Sequence, residues 1–357
     1  MAKLMRRLLS LLLALLTLAS LLLFSSCGLL EGFSFPTLPP SLNPEALLSE
    51  LLAKREEEAE LRPVVPEEQL PSAFSEKYRN QLGQNEQAIY DALLAAKPGE
   101  KIEVPLPLPY FIPCDKNGEA DPVEKEKATD ALGLALSGGM IALWLDDPTF
   151  FWMDLSVAGG SYEMSIRETE AGNQEIHTLR FAAGVKSLYA DDPQGHIATL
   201  LSEAQKVRIQ GYRTIDKVHA IDTYLKKTAT YDLDAPRAHE ALGVFLDGKA
   251  VCEGYARAFQ LLCQVNGISS AVIVGDGITE DGTEGHMWNA VLLDDGYYYG
   301  VDSTWNDSTR SNEYLLCGAN TLCFGTPFSE SHIPYRQISQ GAREFEVPAL
   351  VILEEKK

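Results

Sequence analysis

Residues 286–307 read HMWNAVLLDDGYYYGVDSTWND. Two apolar runs flank Asp294, Asp295 and Gly296, which is the composition of a three-residue hairpin loop, with glycine in the left-handed position that closes a type I turn and bulge. Such a loop sets the register of both strands. Leu293 then pairs with Tyr297, and counting outward puts Asp302 opposite Trp288. His286 lies two residues before Trp288 and so shares its face. His286 and Asp302 become diagonal neighbours within hydrogen-bonding reach. A slip of one residue would send them to opposite faces, so the turn carries the inference. An imidazole oriented by a carboxylate is the base half of a nucleophilic site.

Upstream, residues 248–268 read GKAVCEGYARAFQLLCQVNGI. Cys252 sits where an amphipathic helix begins, and Tyr255, Ala256, Phe259, Leu262 and Cys263 form its apolar stripe. The unsatisfied amides and the positive end of the dipole there stabilise an anion, which favours a thiolate. Acidic Glu253 suits the same first turn, and Gly254 allows a close approach of strand or substrate. Cys252 has competing readings as half of a disulfide or as a buried apolar filler. Cys263 is not its partner in a continuous helix, because eleven residues at 1.5 Å rise place it roughly 16 Å along the axis. Apart from Cys27, the cysteines are Cys114, Cys252, Cys263, Cys317 and Cys323. An odd number in an exported chain leaves one thiol unpaired. None has the CxxC spacing of a zinc site, so no metal is expected. Cys317 and Cys323 are close enough in sequence either to form a small disulfide loop or to stay reduced.

The chain begins with Lys3, Arg6 and Arg7, an apolar run from Leu8 to Phe24, and Ser25-Ser26-Cys27. This order is that of a secretory signal, and the small residues before cysteine resemble the lipobox of bacterial lipoproteins. Residues 1–26 are read as a cleaved signal and Cys27 as the lipidated N-terminus of an extracytoplasmic, membrane-anchored protein. An uncleaved transmembrane anchor is the alternative. Removing residues 1–26 takes away three basic residues and no acid, carrying the formal charge from −21 to −24. Such a field repels phosphate backbones, which argues against nucleic acid as a partner and favours basic substrates. Residues 27–72, with a proline-rich stretch and a short charged helix after Asn43-Pro44, read as a tether.

Residues 73–195 read as an N-terminal domain of mixed helices and strands. SEKYRNQLGQNEQAIYDALLAAK is helical in spacing and ends at Pro98-Gly99; KIEVPLPLPYFI is extended; a helix is expected over 122–138. ALWLDDPTFFWMDLSV, GSYEMSIRE and IHTLRFAAG read as strands. Asp146, Asp147 and Asp154 raise the thought of a glycosidase carboxylate pair. Their place around an Asp-Pro turn argues for a turn role instead. Calcium is conceivable on this acidic stretch, though no EF-hand spacing is present. Residues 196–340 form the second domain and 341–357 a C-terminal tail.

GKAVCEGYA, NGISSAVIVGDG, GHMWNAV and GYYYGVDSTWND, in this order over about 215–310, resemble the core of the transglutaminase-like superfamily. YLKKTATYD and DDPTFFW are similar to segments that precede the core in bacterial members. The resemblance implies an α+β, papain-like fold, with the cysteine on a helix N-terminus packed on an antiparallel sheet. It assigns Cys252 as nucleophile, His286 as base and then acid, and Asp302 as orienting group, with no cofactor. Tyr231 is a candidate oxyanion donor, and Trp288 and Trp305 are candidates for walls of a substrate groove, though a core role suits such aromatics as well. His177, His196, His219, His239 and His332 have no motif partner and read as surface or hydrogen-bonded positions. The chemistry expected is acyl transfer on a protein or peptide substrate, chiefly hydrolysis of peptide or amide bonds. A glutamine-to-amine transferase and an inactive binding module are the alternatives.

Overall fold

The computed structural model describes residues 77–154, 162–209, 213–338 and 343–353. The signal, Cys27 and the tether expected over 27–72 lie outside the described residues. All described residues belong to one compact unit spanning 63–357. Residue 195 is therefore not a boundary between two compact bodies, and a single apolar core draws on both sides of it, from Ile89 and Leu143 to Phe259 and Val291.

A 3-10 turn (Tyr78–Gln81) precedes helix α1 (Gln84–Ala95). Pro98 and Gly99 break the chain, Gly99 with φ 78°, and strand β1 (Lys101–Ile112) follows. Helix α2 (Pro122–Asp146) starts at Asp121, whose side chain accepts from the amides of Val123 and Glu124. It runs eight residues past the expected end at 138. Residues 142–157 are expected as a strand or strand edge; their described part, 142–154, instead completes this helix and holds a 3-10 turn (Pro148–Trp152). The cause is burial on several sides: α2 packs against α1 and the core, so its C-terminal half is apolar nearly all round and shows no helical stripe.

Strands β2 (Glu163–Glu168) and β3 (Gln174–Ala182) join β1 in an antiparallel sheet of order β1-β3-β2. Helices α3 (Pro193–Gln205) and α4 (Thr214–Thr228) come next. The segment 229–251 holds a short parallel pair, β4 (Thr230–Tyr231) with β5 (Lys249–Ala250), around helix α5 (Ala241–Leu246). Helix α6 (Cys252–Val265) leads into β6 (Ser270–Thr279), β7 (Gly282–Leu292) and β8 (Tyr298–Val301). Short elements finish the unit: α7 (Ser303–Ser308), β9 (Leu315–Cys317), β10 (Leu322–Cys323), β11 (Thr326–Pro327), α8 (Phe328–Ser331) and β12 (His332–Pro334). The main sheet is antiparallel, of order β12-β6-β7-β8-β9. The fold is α+β, as expected.

Residues 343–353 are not a loose tail. Phe345 is buried edge-on to Tyr78, and the Val351 amide donates to the Tyr298 carbonyl while its carbonyl accepts from Ala319.

Helix α6 is buried on almost every side from Gly254 to Cys263, not on one stripe. One side lies on the main sheet, where Asn289 Nδ2 donates to the Ala256 carbonyl at 3.0 Å. The opposite side meets the C-terminal end of α2, where the last carbonyls of a helix lack internal partners. Arg257 donates to the Trp144 carbonyl at 2.8 Å, and Gln260 to that of Leu145 at 2.8 Å. Arg257 also stacks on the Trp144 ring at 4.0 Å and binds Glu253 at 3.0 Å. The polar residues of α6 thus cap α2. Close approach at the front of α6 needs Gly254, whose Cβ would stand 2.4 Å from the Ala238 carbonyl oxygen.

Arg257→Ala takes the buried cation away from Glu253, which keeps His239, and leaves the Trp144 carbonyl without its donor; it should destabilise the unit by about 3 kcal/mol, the scale for breaking a buried ion pair. Urea unfolding measures it. A loss under about 1 kcal/mol would show that the α2–α6 contact does not depend on this residue.

Candidate active site

The loop of the hairpin is built as its composition requires. Gly296 has φ 82°, its amide donates to the Leu293 carbonyl, and the Leu293 amide donates to the Tyr297 carbonyl, both at 3.0 Å. Asn289 pairs with Val301, so the count reaches Asp302 opposite Trp288. His286 Nε2 donates to Asp302 Oδ2 at 2.8 Å, with both side chains buried.

Asp302 is also the N-cap of α7: its Oδ1 accepts from the amides of Thr304 and Trp305 at 2.9 and 3.0 Å. Burial opposes its charge, but the His286 charge and hydrogen bond, with help from His332, hold its carboxyl well below the usual carboxylate range. Helix α7 is held in turn. Asp222 of α4 is buried and accepts from Ser303 Oγ and Asn306 Nδ2 at 2.8 and 3.1 Å, while Lys226 balances its charge. Tyr255 of α6 donates to Asp307 at 2.6 Å.

Cys252 is the first residue of α6, half-buried and unbridged. It lies close enough to His286 to help raise the pKa of the ring. With Nε2 given to Asp302, the Nδ1 side of the ring is the one left for the thiol. Burial works against a charged His286, but the Asp302 charge and hydrogen bond, followed by Cys252, outweigh it and push the ring up to about 10. The Cys252, His286 and Asp302 groups expected from the sequence are therefore brought together.

Space for the two rings comes from β6, which runs between β7 and β12. Gly275 pairs with His286 on one side, and Gly277 with His332 on the other. A Cβ at Gly277 would stand 3.0 Å from the His286 Cβ and from the Trp305 ring, and one at Gly275 would strike the Ile333 carbonyl oxygen at 2.2 Å. Into this gap comes a residue the sequence did not single out. His332 is fully buried, with Nε2 3.2 Å from Asp302 Oδ2. No local motif announces it; only the long-range pairing of β12 with β6 brings it here.

The aromatic candidates divide. Trp305 lies against His286 at 4.9 Å, with rings 25° apart, and is partly exposed. Trp288 is buried in a small core with Ile273, Tyr298 and Phe328, so it supports the strand and does not line a groove. Tyr231 is exposed, paired through β4 with Ala250, and opens onto a cleft of about 780 Å³ lined by Lys226, Lys227, Asp307 and Arg310 among others. Partial burial, then the charges of Cys252, Glu284 and Asp302, raise its hydroxyl pKa, so it keeps its proton.

The remaining candidates serve the scaffold. Asp146 accepts from the amides of Tyr78 and Arg79, and Asp147 caps the 3-10 turn that begins at Pro148. His239 pairs with Glu253, and His196 packs edge-on to Tyr189. Cys317 and Cys323 are unbridged, with sulfurs 3.6 Å apart. Among the described residues, one cluster of His, Cys, Asp or Glu has its ligand atoms close enough to share a metal ion: His286, Asp302 and His332. The direct hydrogen bonds just described already pair the same atoms.

Residues 203–303 match the family model of the transglutaminase-like superfamily, a span that holds Cys252, His286 and Asp302. Over 156 residues the chain is 28% identical to the kyphoscoliosis peptidases of Mus musculus and Homo sapiens. That alignment takes in 39% of this chain and 22% of each relative, so the chain spans about a fifth of their length. Among solved structures, the periplasmic domain of TgpA from Pseudomonas aeruginosa aligns at 15% identity, over 42% of this chain and 65% of that one, with a TM-score of 0.27. The stretch that carries the cysteine helix, the histidine strand and the aspartate is thus a transglutaminase-like domain.

Proposed function

We propose that the protein is a cell-surface thiol acyl-transfer enzyme, a cysteine-protease-like hydrolase of peptide or amide bonds, anchored to the membrane through Cys27. The observation that carries the reading is the line from Asp302 through His286 to Cys252, with the thiol at a helix N-terminus and the other two groups buried. The anchor rests on the order of charges, apolar run and small residues in 1–27.

In this reading His286 holds the proton of Cys252, and the sulfur attacks a carbonyl carbon. A carbon–sulfur bond forms and the carbonyl oxygen gains the negative charge. The donors to that oxygen are the Cys252 amide, at the helix start where amides lack internal acceptors, and the Tyr231 hydroxyl. Collapse breaks the carbon–nitrogen bond as His286 passes its proton to the departing amine. Water, deprotonated by the same ring, then cleaves the thioester and restores the thiol. Asp302 stabilises the imidazolium through both half-reactions. The cleft beside Tyr231 gives the substrate chain a place to lie.

Capture of the thioester by an amine instead of water makes the same machinery a transferase. The excess of acidic residues favours lysine-bearing acceptors and is the observation behind that second reading.

In the full-length chain in detergent, iodoacetamide should label Cys252 faster than the other thiols at neutral pH, and His286→Ala should slow it at least about tenfold. Hydrolysis of a peptide-amide library should vanish in Cys252→Ala and fall by roughly three orders of magnitude in Asp302→Asn. Dansylcadaverine incorporation without hydrolysis would move the assignment to the transferase. Slow labelling indifferent to His286 would sink both and leave a binding module.

Stability should follow the same pair. The folded pKa of His286, about 10, lies above the ordinary imidazole value of 6.5, so its charged form stabilises the fold in full below about pH 6.5 and ceases to as pH rises through about 10. The stability difference between wild type and His286→Ala should therefore shrink between neutral pH and pH 10. Urea titrations across that range check it, and a difference that stays constant would show that the ring is neutral throughout.

A further inference from the structure

Asp302 is hydrogen-bonded on both oxygens, and one partner lies outside the three residues of the triad. Oδ1 is tied to the first amides of α7. Oδ2 takes the His286 bond at 2.8 Å and also faces His332 Nε2 at 3.2 Å. An ionised carboxylate has no proton to give, so the hydrogen in this second contact belongs to His332. That leaves its Nδ1 to accept from the Ser331 hydroxyl, 2.9 Å away.

The ring is gripped from several directions. Phe328 stacks on it at 3.9 Å with the planes 5° apart, and Trp305 and Trp288 close in at 4.5 and 5.0 Å. Phe328 reaches this position because Gly300 has no side chain; a Cβ there would stand 2.5 Å from its ring. Gly277, which pairs with His332 across the sheet, leaves the opening through which the two imidazoles meet the same oxygen. Two glycines, an aromatic stack and a serine therefore converge on one buried imidazole that faces Asp302.

We propose that His332 is a positioning residue of the site: its Nε2–H pins Asp302 Oδ2 in line with His286, so that the carboxylate keeps its bond when the imidazole becomes charged. The proposal rests on the triad reading given above and adds a fourth member to it. Capping fixes Oδ1 but leaves Oδ2 tied only to the ring whose charge changes during the reaction. A donor on Oδ2 whose own state stays constant removes that freedom. The charged groups that bear on His332 are Asp302 and His286. Burial first, and then the His286 charge, lower its pKa, so Asp302 faces one imidazolium and one neutral donor.

The test uses the full-length chain in detergent with iodoacetamide as the probe, followed at Cys252 by mass spectrometry from about pH 5 to 9, a range spanning the ordinary pKa values of histidine and cysteine. His332→Phe keeps a ring in the stack and removes the donor. His332→Gln keeps an N–H for Asp302. The expected result is a roughly tenfold slower reaction near pH 6 for His332→Phe, the scale of one hydrogen bond to a charged group, with the acid edge of its profile moved to higher pH. His332→Gln should return to within about twofold of wild type, a rescue that a packing role alone would not produce. If His332→Phe does not fold, Ser331→Ala takes its place, with a smaller slowing of the same shape expected. Wild-type rates and profile in His332→Phe, or in Ser331→Ala where that replaces it, overturn the proposal, and so does equal slowing in the Phe and Gln variants. Wild-type Cys252 labelling no faster than that of the urea-unfolded chain overturns the triad reading itself, and the positioning role falls with it.

Discussion

A carboxylate removed from water has to find its hydrogen-bond donors inside the protein, and Asp302 finds four. Two are backbone amides at the start of α7 and two are imidazoles, from β7 and β12. Meeting that demand ties together a helix and the strands on both sides of β6. The helix N-cap and the partner of His286 are the two oxygens of one carboxylate, so the start of α7 and the orientation of the imidazole share one requirement. Asp222, Ser303, Asn306 and the Tyr255–Asp307 bond then fix α7 against α4 and α6, which holds Asp302 in place relative to the cysteine.

The parts of the site legible in the sequence were those specified by short-range rules. The Asp294-Asp295-Gly296 loop determined the register, and with it the meeting of His286 and Asp302. Cys252 was legible because small residues and an apolar stripe mark the start of a helix. His332 was not, since its place depends on β12 closing the sheet edge against β6, a pairing between residues more than fifty apart in sequence. Trp288 stayed open between groove and core for a related reason: alternation tells which face a residue takes, but not whether that face is covered, and α8 brings Phe328 over it.

The same limit explains the first half of the chain. Period-based reading of 142–157 as a strand failed because α2 is enclosed, and an enclosed helix has no polar face to mark its period. The end of that helix has a purpose beyond its own packing. Its open carbonyls are met by Arg257 and Gln260 of α6, so the segment expected to form a separate domain instead seats the helix that carries the cysteine.

Gly275 and Gly277 carry a consequence for how this site can vary. The cavity that admits the paired imidazoles is made by missing side chains in β6, where an added carbon would stand 2.2 Å from the Ile333 carbonyl oxygen at Gly275 and 3.0 Å from the Trp305 ring at Gly277. A side chain at Gly275 is barred by backbone, and one at Gly277 would have to press His286 and Trp305 aside by a few tenths of an ångström. Tyr231, Lys227 and Arg310 at the rim of the cleft are exposed, so divergence in such a protein is steered outward, away from the imidazoles and toward that rim.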